Sequence, residues 1–311
     1  MPLHQSSGRW RLGLALSLLT VMLWGVLPIA LKVTLQALDV YTVTWFRFSA
    51  AFGLLALYLA GRRQLPTLQQ VRSASLGLLA IATICLGLNY LFFLQGLALT
   101  SANNAEVLIQ LAPVMFGLGA IAIFKERYTA RQWAGMAVLV LGLVLFFNEQ
   151  LQSLITETSQ YLVGSSVLVL AAITWAVYAL AQKQLLQKLS SFSIMLIIYG
   201  GCALIFSPFA TPAKILSLNP LHLGMLLFCG LNTLVAYGAF AEALEHWEAS
   251  RVSAVLALAP LVTLATVDIV SSLMPGLIAP EPLTLLGVVG AILVVGGCVA
   301  IALGRKRAIR T

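Results

Sequence analysis

Four charged residues sit inside or at the ends of long apolar runs and are the first candidates for chemistry: Lys32, Arg47, Glu106 and Asp268. An ion in hydrocarbon is costly, so each needs a partner, a route to water or a cavity. Arg47 and Glu106 are placed deepest, and a buried pair between them could act as a structural clamp or an outer gate. Glu106 is also the one carboxylate well inside the first half of the chain. That makes it a candidate coupling acid for a proton or a substrate, and whether it titrates or only pairs with Arg47 stays open. Lys32 and Asp268 either join this charge network or have plainer roles, with Lys32 snorkelling to headgroups and Asp268 near water.

Neutral polar and aromatic residues gather around these charges at helical spacing. Asn103, Glu106 and Gln110 are three and four apart, so they share one helix face. Trp24, Pro28 and Lys32 share another, as do Trp175, Tyr178 and Gln182. Asn89 with Tyr90, and Asn232 with Tyr237, add two amide–phenol pairs. Together these groups would line a cavity in which rings contact apolar parts of a ligand and amides orient its polar parts. Small zwitterions or amphipathic metabolites fit that description. The competing reading is that Trp and Tyr anchor at membrane interfaces. Trp10, Trp45, Trp133 and Trp247 are assigned to such anchors. Pro28, Pro113 and Pro260 each remove a helix hydrogen bond and are candidate hinges, with static kinks as the equal alternative.

The elements that must position these residues are apolar throughout. The chain is 60% hydrophobic and only 9% charged, against about 25% charged in a soluble domain. Ten apolar runs occur, at roughly 12–33, 40–60, 74–95, 102–124, 129–147, 162–182, 191–209, 219–242, 250–272 and 283–304. Each is long enough to cross a bilayer as a helix. The net charge of +8 is spread over short loops, so nucleic acid is not an expected partner. With the N-terminus in the cytoplasm, Arg9, Arg11, Arg62, Arg63, Arg72, Lys125, Arg127, Arg131, Lys183, Lys188, Arg251, Arg305, Lys306, Arg307 and Arg310 all lie inside, and only Lys214 lies in an outside loop. Positive residues accumulate on the cytoplasmic side, so both termini are expected there. Cys85, Cys202, Cys229 and Cys298 lie in apolar runs without metal spacing, so they read as reduced core residues. The first run lacks a cleavage site and reads as a retained helix, not a signal peptide.

An internal repeat organises the runs. Trp24 and Lys32 recur as Trp175 and Lys183; Tyr90 and Ala112-Pro113 recur as Tyr237 and Ala259-Pro260; Glu126, Thr129, Gly135 and Gly142 recur as Glu281, Thr284, Gly290 and Gly297. Each unit holds five runs, an odd number, so the second enters the membrane from the opposite side. The expected fold is an all-α polytopic membrane protein with ten transmembrane helices in two inverted five-helix repeats, residues 12–147 and 162–304. Ser253 stands where the first unit has Glu106, and Ile198 roughly where it has Arg47. Helix 4 is therefore expected to carry the asymmetric chemistry, with helix 9 as a mostly neutral wall.

Trp24-Gly25 with Lys32, Arg47-Phe48, Ala112-Pro113, and Glu126-Arg127-x-Thr129-x-x-Gln132-Trp133-x-Gly135 together resemble the EamA pattern of the drug/metabolite transporter superfamily. The resemblance covers nearly the whole chain as two units. It implies a ten-helix exporter of amino acids or related metabolites in the cytoplasmic (inner) membrane. It also implies that helices 1, 3, 4, 6, 8 and 9 line a central cavity while 5 and 10 are peripheral.

Other classes fare less well. No Gly-x-x-x-x-Gly-Lys-Ser/Thr motif points to nucleotide hydrolysis. A multidrug exporter of the small multidrug resistance type depends on a carboxylate in its first helix, and residues 12–33 have none. Exchange of nucleotide sugars or triose phosphates needs several cavity cations, and only Lys32 and Arg47 are available. A membrane enzyme is disfavoured because His4, His222 and His246 are peripheral and form no catalytic set. The expected partners are a small-molecule substrate and the bilayer, with a proton as candidate coupling ion, in a monomer or homodimer; neither metal nor cofactor is expected.

Overall fold

The helices turn leucines outward and hydroxyls inward, the reverse of a water-soluble bundle. Leu57, Leu204 and Ile292 are more than three-fifths exposed, whereas Ser17, Thr20, Thr34 and Thr233 are fully buried. Such an apolar exterior suits lipid. The computed structural model describes residues 6–100, 105, 108–126, 128–146, 148, 159–273 and 284–302. Asn103, Glu106 and Glu281 lie outside this set.

Among the described residues all regular structure is helical. α1 is Trp10–Thr34, α2 Val40–Gly61, α3 the short Leu68–Ser73, α4 Leu76–Leu99, α5 Leu111–Phe124 and α6 Ala130–Phe146. α7 is Ser159–Leu185, α8 Ser191–Phe206, α9 Pro220–His246, α10 Ala249–Leu256, α11 Ala259–Leu273 and α12 Leu285–Ala302. Seven helical segments are long and apolar enough to cross a membrane, counting Ala249–Leu273 as one, and three shorter apolar helices join them: α5, α6 and most of α12. The protein is a polytopic, multi-pass membrane protein. The expected count of ten crossings is not established by helix length, because those three fall below 18 residues.

Packing follows the repeat. α6 packs on α12, α4 on α7, and α1 on α9. Exchanging the two units maps the first of these pairs onto itself and the other two onto each other. The α6–α12 contact also shows the direction. A Cβ on Gly135 would meet the Gly297 carbonyl at 3.0 Å, and one on Gly142 the Gly290 carbonyl at 2.9 Å. Gly135 is thus near Gly297 and Gly142 near Gly290, so these equivalent helices run antiparallel and the units are inverted. Their glycines hold the two halves of one chain together.

Hydrophilic ties close the loops. Asp39 caps α2 by accepting from the Thr42 amide at 2.9 Å, and it also accepts from the Thr211 hydroxyl at 3.1 Å. Lys214 pairs with it at 3.6 Å. Burial pushes the Asp39 carboxyl up, but the bonds from Thr42 and Thr211 outweigh it and hold the group below its ordinary value.

Two interface assignments need correction. Trp247 is only 4% exposed, because its side chain packs against Gly13, which has no Cβ to exclude it. His246 is not peripheral: it is buried, 2.8 Å from the Ser7 hydroxyl and 3.3 Å from Glu242. Trp10 and Trp133 are about half exposed, as surface anchors would be.

The glycine contact is testable. A Cβ at Gly290 would lie 2.3 Å from the Phe146 amide nitrogen, whereas one at Gly296 meets nothing within 4 Å. Gly290→Ala should lower stability by about 1–3 kcal/mol through overpacking, with Gly296→Ala near neutral. Thermal unfolding of the purified variants in detergent measures the difference.

Candidate functional site

Two proline breaks place the site. Pro260 has no N–H and would clash with the carbonyl four residues back, at Leu256. The helix accordingly ends at Leu256 and restarts at Ala259. Pro113 follows the same pattern, with α5 beginning at Leu111 directly after a turn at Gln110. Pro28 differs, since α1 runs unbroken through it. In each unit the break precedes an Ala-Pro pair, and both breaks face one cavity. Ile109, Gln110, Ala112 and Pro113 line it from one unit, and Leu256 and Ala259 from the other.

The rest of the lining comes from single faces of α1, α4, α7 and α9, with one residue of α2. Trp24, Leu27, Pro28 and Leu31 lie three or four apart on α1. Asn89, Tyr90 and Phe93 come from α4, Trp175 from α7, Tyr237 from α9 and Arg47 from α2. The cavity volume is about 100 Å³. Gly25 makes room for the second break: a Cβ there would sit 2.5 Å from Val262 and 3.1 Å from the Ala259 carbonyl.

The rings form a connected wall. Trp24 lies 5.7 Å from Trp175 and 5.0 Å from Tyr237, and Tyr237 lies 5.4 Å from Tyr90. These separations fall within the range of favourable edge and tilted ring contacts. Tyr178 is fully buried behind this wall, with its hydroxyl 3.5 Å from the Met195 sulfur, and does not line the cavity. Asn232 is also behind it, donating to the Leu23 carbonyl at 2.6 Å. Asn89 does line the cavity and donates to the Ala171 carbonyl at 2.9 Å, tying α4 to α7.

Arg47 is 3% exposed. Its Nε donates to the Thr233 hydroxyl at 2.9 Å, and its guanidinium lies 4.2 Å from the centre of the Tyr90 ring. Thr233 also accepts from the Tyr90 hydroxyl at 3.3 Å. Sequence reasoning missed Thr233, although it stands four residues before Tyr237 in an apolar helix, where a buried hydroxyl needs a reason. The proposed pairing of Arg47 with Glu106 lies outside the described residues. Among those residues no ion pair joins Lys32, Arg47 and Asp268. Lys32 and Asp268 are both exposed.

A second charged cluster lies at the opposite ends of the same helices. Lys125 adopts a left-handed backbone (φ 53°) at the end of α5 and turns the chain. Glu126 then accepts from the Ala249 and Ser250 amides, each at 3.1 Å, and pairs with Lys183 at 3.4 Å. Thr129 and Gln132 form the capping box of α6, while Glu126 neutralises the N-terminal dipole of α10 in the other unit. Lys183 is not a loop charge but a buried one, 2% exposed. The Tyr128 hydroxyl adds a bond to the Ser250 carbonyl at 3.4 Å, and burial pushes its pKa up to about 12. The Ser253 hydroxyl donates to the Pro113 carbonyl, joining α10 to α5.

Fold and cavity define the class: a helical, multi-pass membrane protein with a cavity at the junction of two inverted units. The chain belongs to the EamA-like transporter family, which it matches twice, at residues 11–148 and 162–303. It is 39% identical over 296 residues to the uncharacterized inner membrane transporter YhbE of Escherichia coli K12, covering 95% of this chain and 92% of that protein. It is 25% identical to a probable amino-acid metabolite efflux pump of Salmonella typhimurium, covering 91% and 92% of the two chains. A solved crystal structure shares the fold, with a TM-score of 0.72 at 16% identity over 94% of this chain and 99% of that one.

The Glu126–Lys183 latch generates a prediction. Removing one partner of a buried pair leaves an uncompensated charge, at a cost of about 3–5 kcal/mol. Glu126→Gln and Lys183→Met should each lower the unfolding midpoint. The double variant should recover much of the loss, and additive effects would show that the two side chains are not coupled.

Proposed function

We propose that this protein is a secondary transporter of the inner membrane that exports amino acids or related small metabolites by alternating access. In this reading the three shorter apolar helices also cross, giving ten spans with both termini in the cytoplasm. The observation that carries the proposal is the cavity itself. It joins five aromatic side chains, two carboxamides and a guanidinium, and broken helices from both units close on it. Discontinuous helices at a repeat interface are where carriers of this design bind their cargo. The name of the Salmonella relative supports amino-acid metabolites as the substrate class.

The loop charges support a cytoplasmic N-terminus. On that topology α1 runs outward, so the Glu126–Lys183 latch is cytoplasmic and the cavity lies outward of it. Efflux of assorted toxic compounds is the second reading, favoured by the aromatic lining alone.

Uptake into inverted membrane vesicles tests the proposal. Vesicles containing the protein should accumulate labelled amino acids above empty vesicles. Trp24→Ala and Tyr237→Ala should each reduce uptake about ten-fold or more, the expected loss for a ring at the centre of a binding pocket. Equal uptake with and without the protein, across amino acids and toxic cations alike, would end the transporter reading.

Glu106 is the candidate coupling acid in this scheme. Glu106→Gln should remove the pH dependence of uptake, measured at fixed substrate with the vesicle pH gradient collapsed or reversed. Normal transport with an unchanged pH profile would dismiss it.

A further inference from the structure

Between α2 and α4 the chain exposes three arginines, Arg62, Arg63 and Arg72, and from Val40 to Ala105 it has no acidic residue to balance them. α2 ends in a Schellman turn: the Gln64 amide reaches the Leu59 carbonyl at 2.8 Å and the Arg63 amide the Ala60 carbonyl at 3.0 Å. That turn puts Arg63 in the left-handed region (φ 54°), where glycine is preferred and a Cβ is strained. An arginine there needs a reason other than the turn. Arg62 reaches back along the helix and donates to the Tyr58 hydroxyl at 2.9 Å, with its guanidinium 5.7 Å from that ring's centre. Tyr58 accepts that bond, so its own O–H remains for another partner. The Tyr58 ring is about half exposed and lies 6.1 Å from the Phe192 ring of α8. The short α3 extends the surface. Thr67 and Gln70 cap it reciprocally. Val71 packs inward and Ala74 is buried, while Leu68 and Arg72, four apart, share an exposed face.

We propose that this surface seats an anionic phospholipid, with its phosphate on the arginines and the Tyr58 O–H and its acyl chains along the exposed leucines of α2. Guanidinium forks match phosphate oxygens in geometry as well as charge. Leu54 and Leu57 are exposed on the same stretch of α2 as Tyr58, so the basic patch borders lipid-facing surface directly. A tyrosine at such a border is where rings meet headgroups. Charge complementarity selects the occupant: a basic patch at the membrane surface attracts anionic over zwitterionic headgroups. The patch sits at the end of the molecule that holds the N-terminal segment. Ser191, beside Phe192, bonds Glu242, and His246, one turn further along α9, bonds Ser7. On the proposed topology that end faces the inner leaflet. The inference is independent of the cargo and of the direction of transport.

The test mixes purified protein in neutral detergent with equal amounts of dioleoyl phosphatidylglycerol and dioleoyl phosphatidylcholine and reads the retained lipid by native mass spectrometry. The wild type should prefer the anionic lipid by about ten-fold or more, because each arginine near an anionic surface contributes roughly five-fold in affinity. Arg62→Gln combined with Arg72→Gln should bring the two lipids close to parity. Arg131→Gln combined with Lys214→Gln, the same loss of charge at exposed positions elsewhere, should leave the preference in place. Arg63→Gly guards against misfolding. It should lower the preference roughly five-fold while keeping or raising the unfolding midpoint, since glycine accepts the left-handed turn. Equal retention of both lipids by the wild type would overturn the inference, as would an unchanged preference in folded patch variants or an equal loss in the charge-matched control. Displacement of the lipid by glycerol 3-phosphate at equal concentration would overturn it too, because the site would then be one for a soluble phosphate.

Discussion

Hydrocarbon offers no partner to a backbone N–H or C=O, and most of this architecture follows from that. Each backbone polar group in a span must be satisfied within the protein. An unbroken helix does this unaided. A helix interrupted at a proline does not, so it can be interrupted only where protein or a cavity receives the freed groups. Both interruptions here, before Pro113 and before Pro260, face the same cavity. Local hydrogen bonds relieve the second one, with the Leu258 amide reaching the Val255 carbonyl at 3.0 Å and the Leu261 amide the Leu258 carbonyl at 3.1 Å. The prolines therefore decide where the cavity is, and the rings and amides decide the chemistry of its lining.

Inversion carries that decision from one unit to the other. Asn89 of α4 donates to the Ala171 carbonyl of α7. By the repeat offsets the equivalent pair is Ala236 of α9 and Thr20 of α1, and there the Thr20 hydroxyl donates to the Ala236 carbonyl at 3.2 Å. The contact is the same, but the donor has moved to the opposite helix. Backbone geometry is thus kept while side-chain chemistry is free to diverge. Arg47 against Ile198, and Glu106 against Ser253, are further divergences. Ser253 is the instructive one, because its hydroxyl ties α10 to α5 at the Pro113 carbonyl, a structural bond between the two breaks.

Repeat-matched rings were the most legible part of the site. Trp24 and Trp175, and Tyr90 and Tyr237, recur at fixed offsets inside apolar runs, and all four line the cavity. Tyr178 was chosen by spacing and Asn232 as an amide in the same helix as Tyr237, and both lie behind the wall. Spacing names a helix face but not its depth, and α7 and α9 bury broader faces than the one that lines the cavity. The latch was illegible for a different reason. Glu126 and Lys183 are 57 positions apart and each stands at the end of an apolar run. A run end reads as a loop, where a lysine is counted toward orientation and a glutamate toward its own helix. Only the packing of α5, α7 and α10 shows that they meet. Trp247 was misread likewise, since nothing local indicates that Gly13 leaves space for it.

Cavity and latch are mechanically linked because they share helices. Trp175 and Lys183 lie eight residues apart on α7, about 12 Å along its axis. Leu256 ends α10 at the cavity, and the Ala249 amide begins it on Glu126. Rotating α10 to reshape the cavity wall would therefore draw its first turn away from the carboxylate that neutralises its dipole. Lys32, the repeat equivalent of Lys183, is exposed while Lys183 is buried. The two ends of the molecule are thus in unlike states despite a shared backbone plan. In an inverted repeat, exchanging the conformations of the two units produces the opposite state. On the alternating-access proposal, that exchange would release Lys183 and bury Lys32.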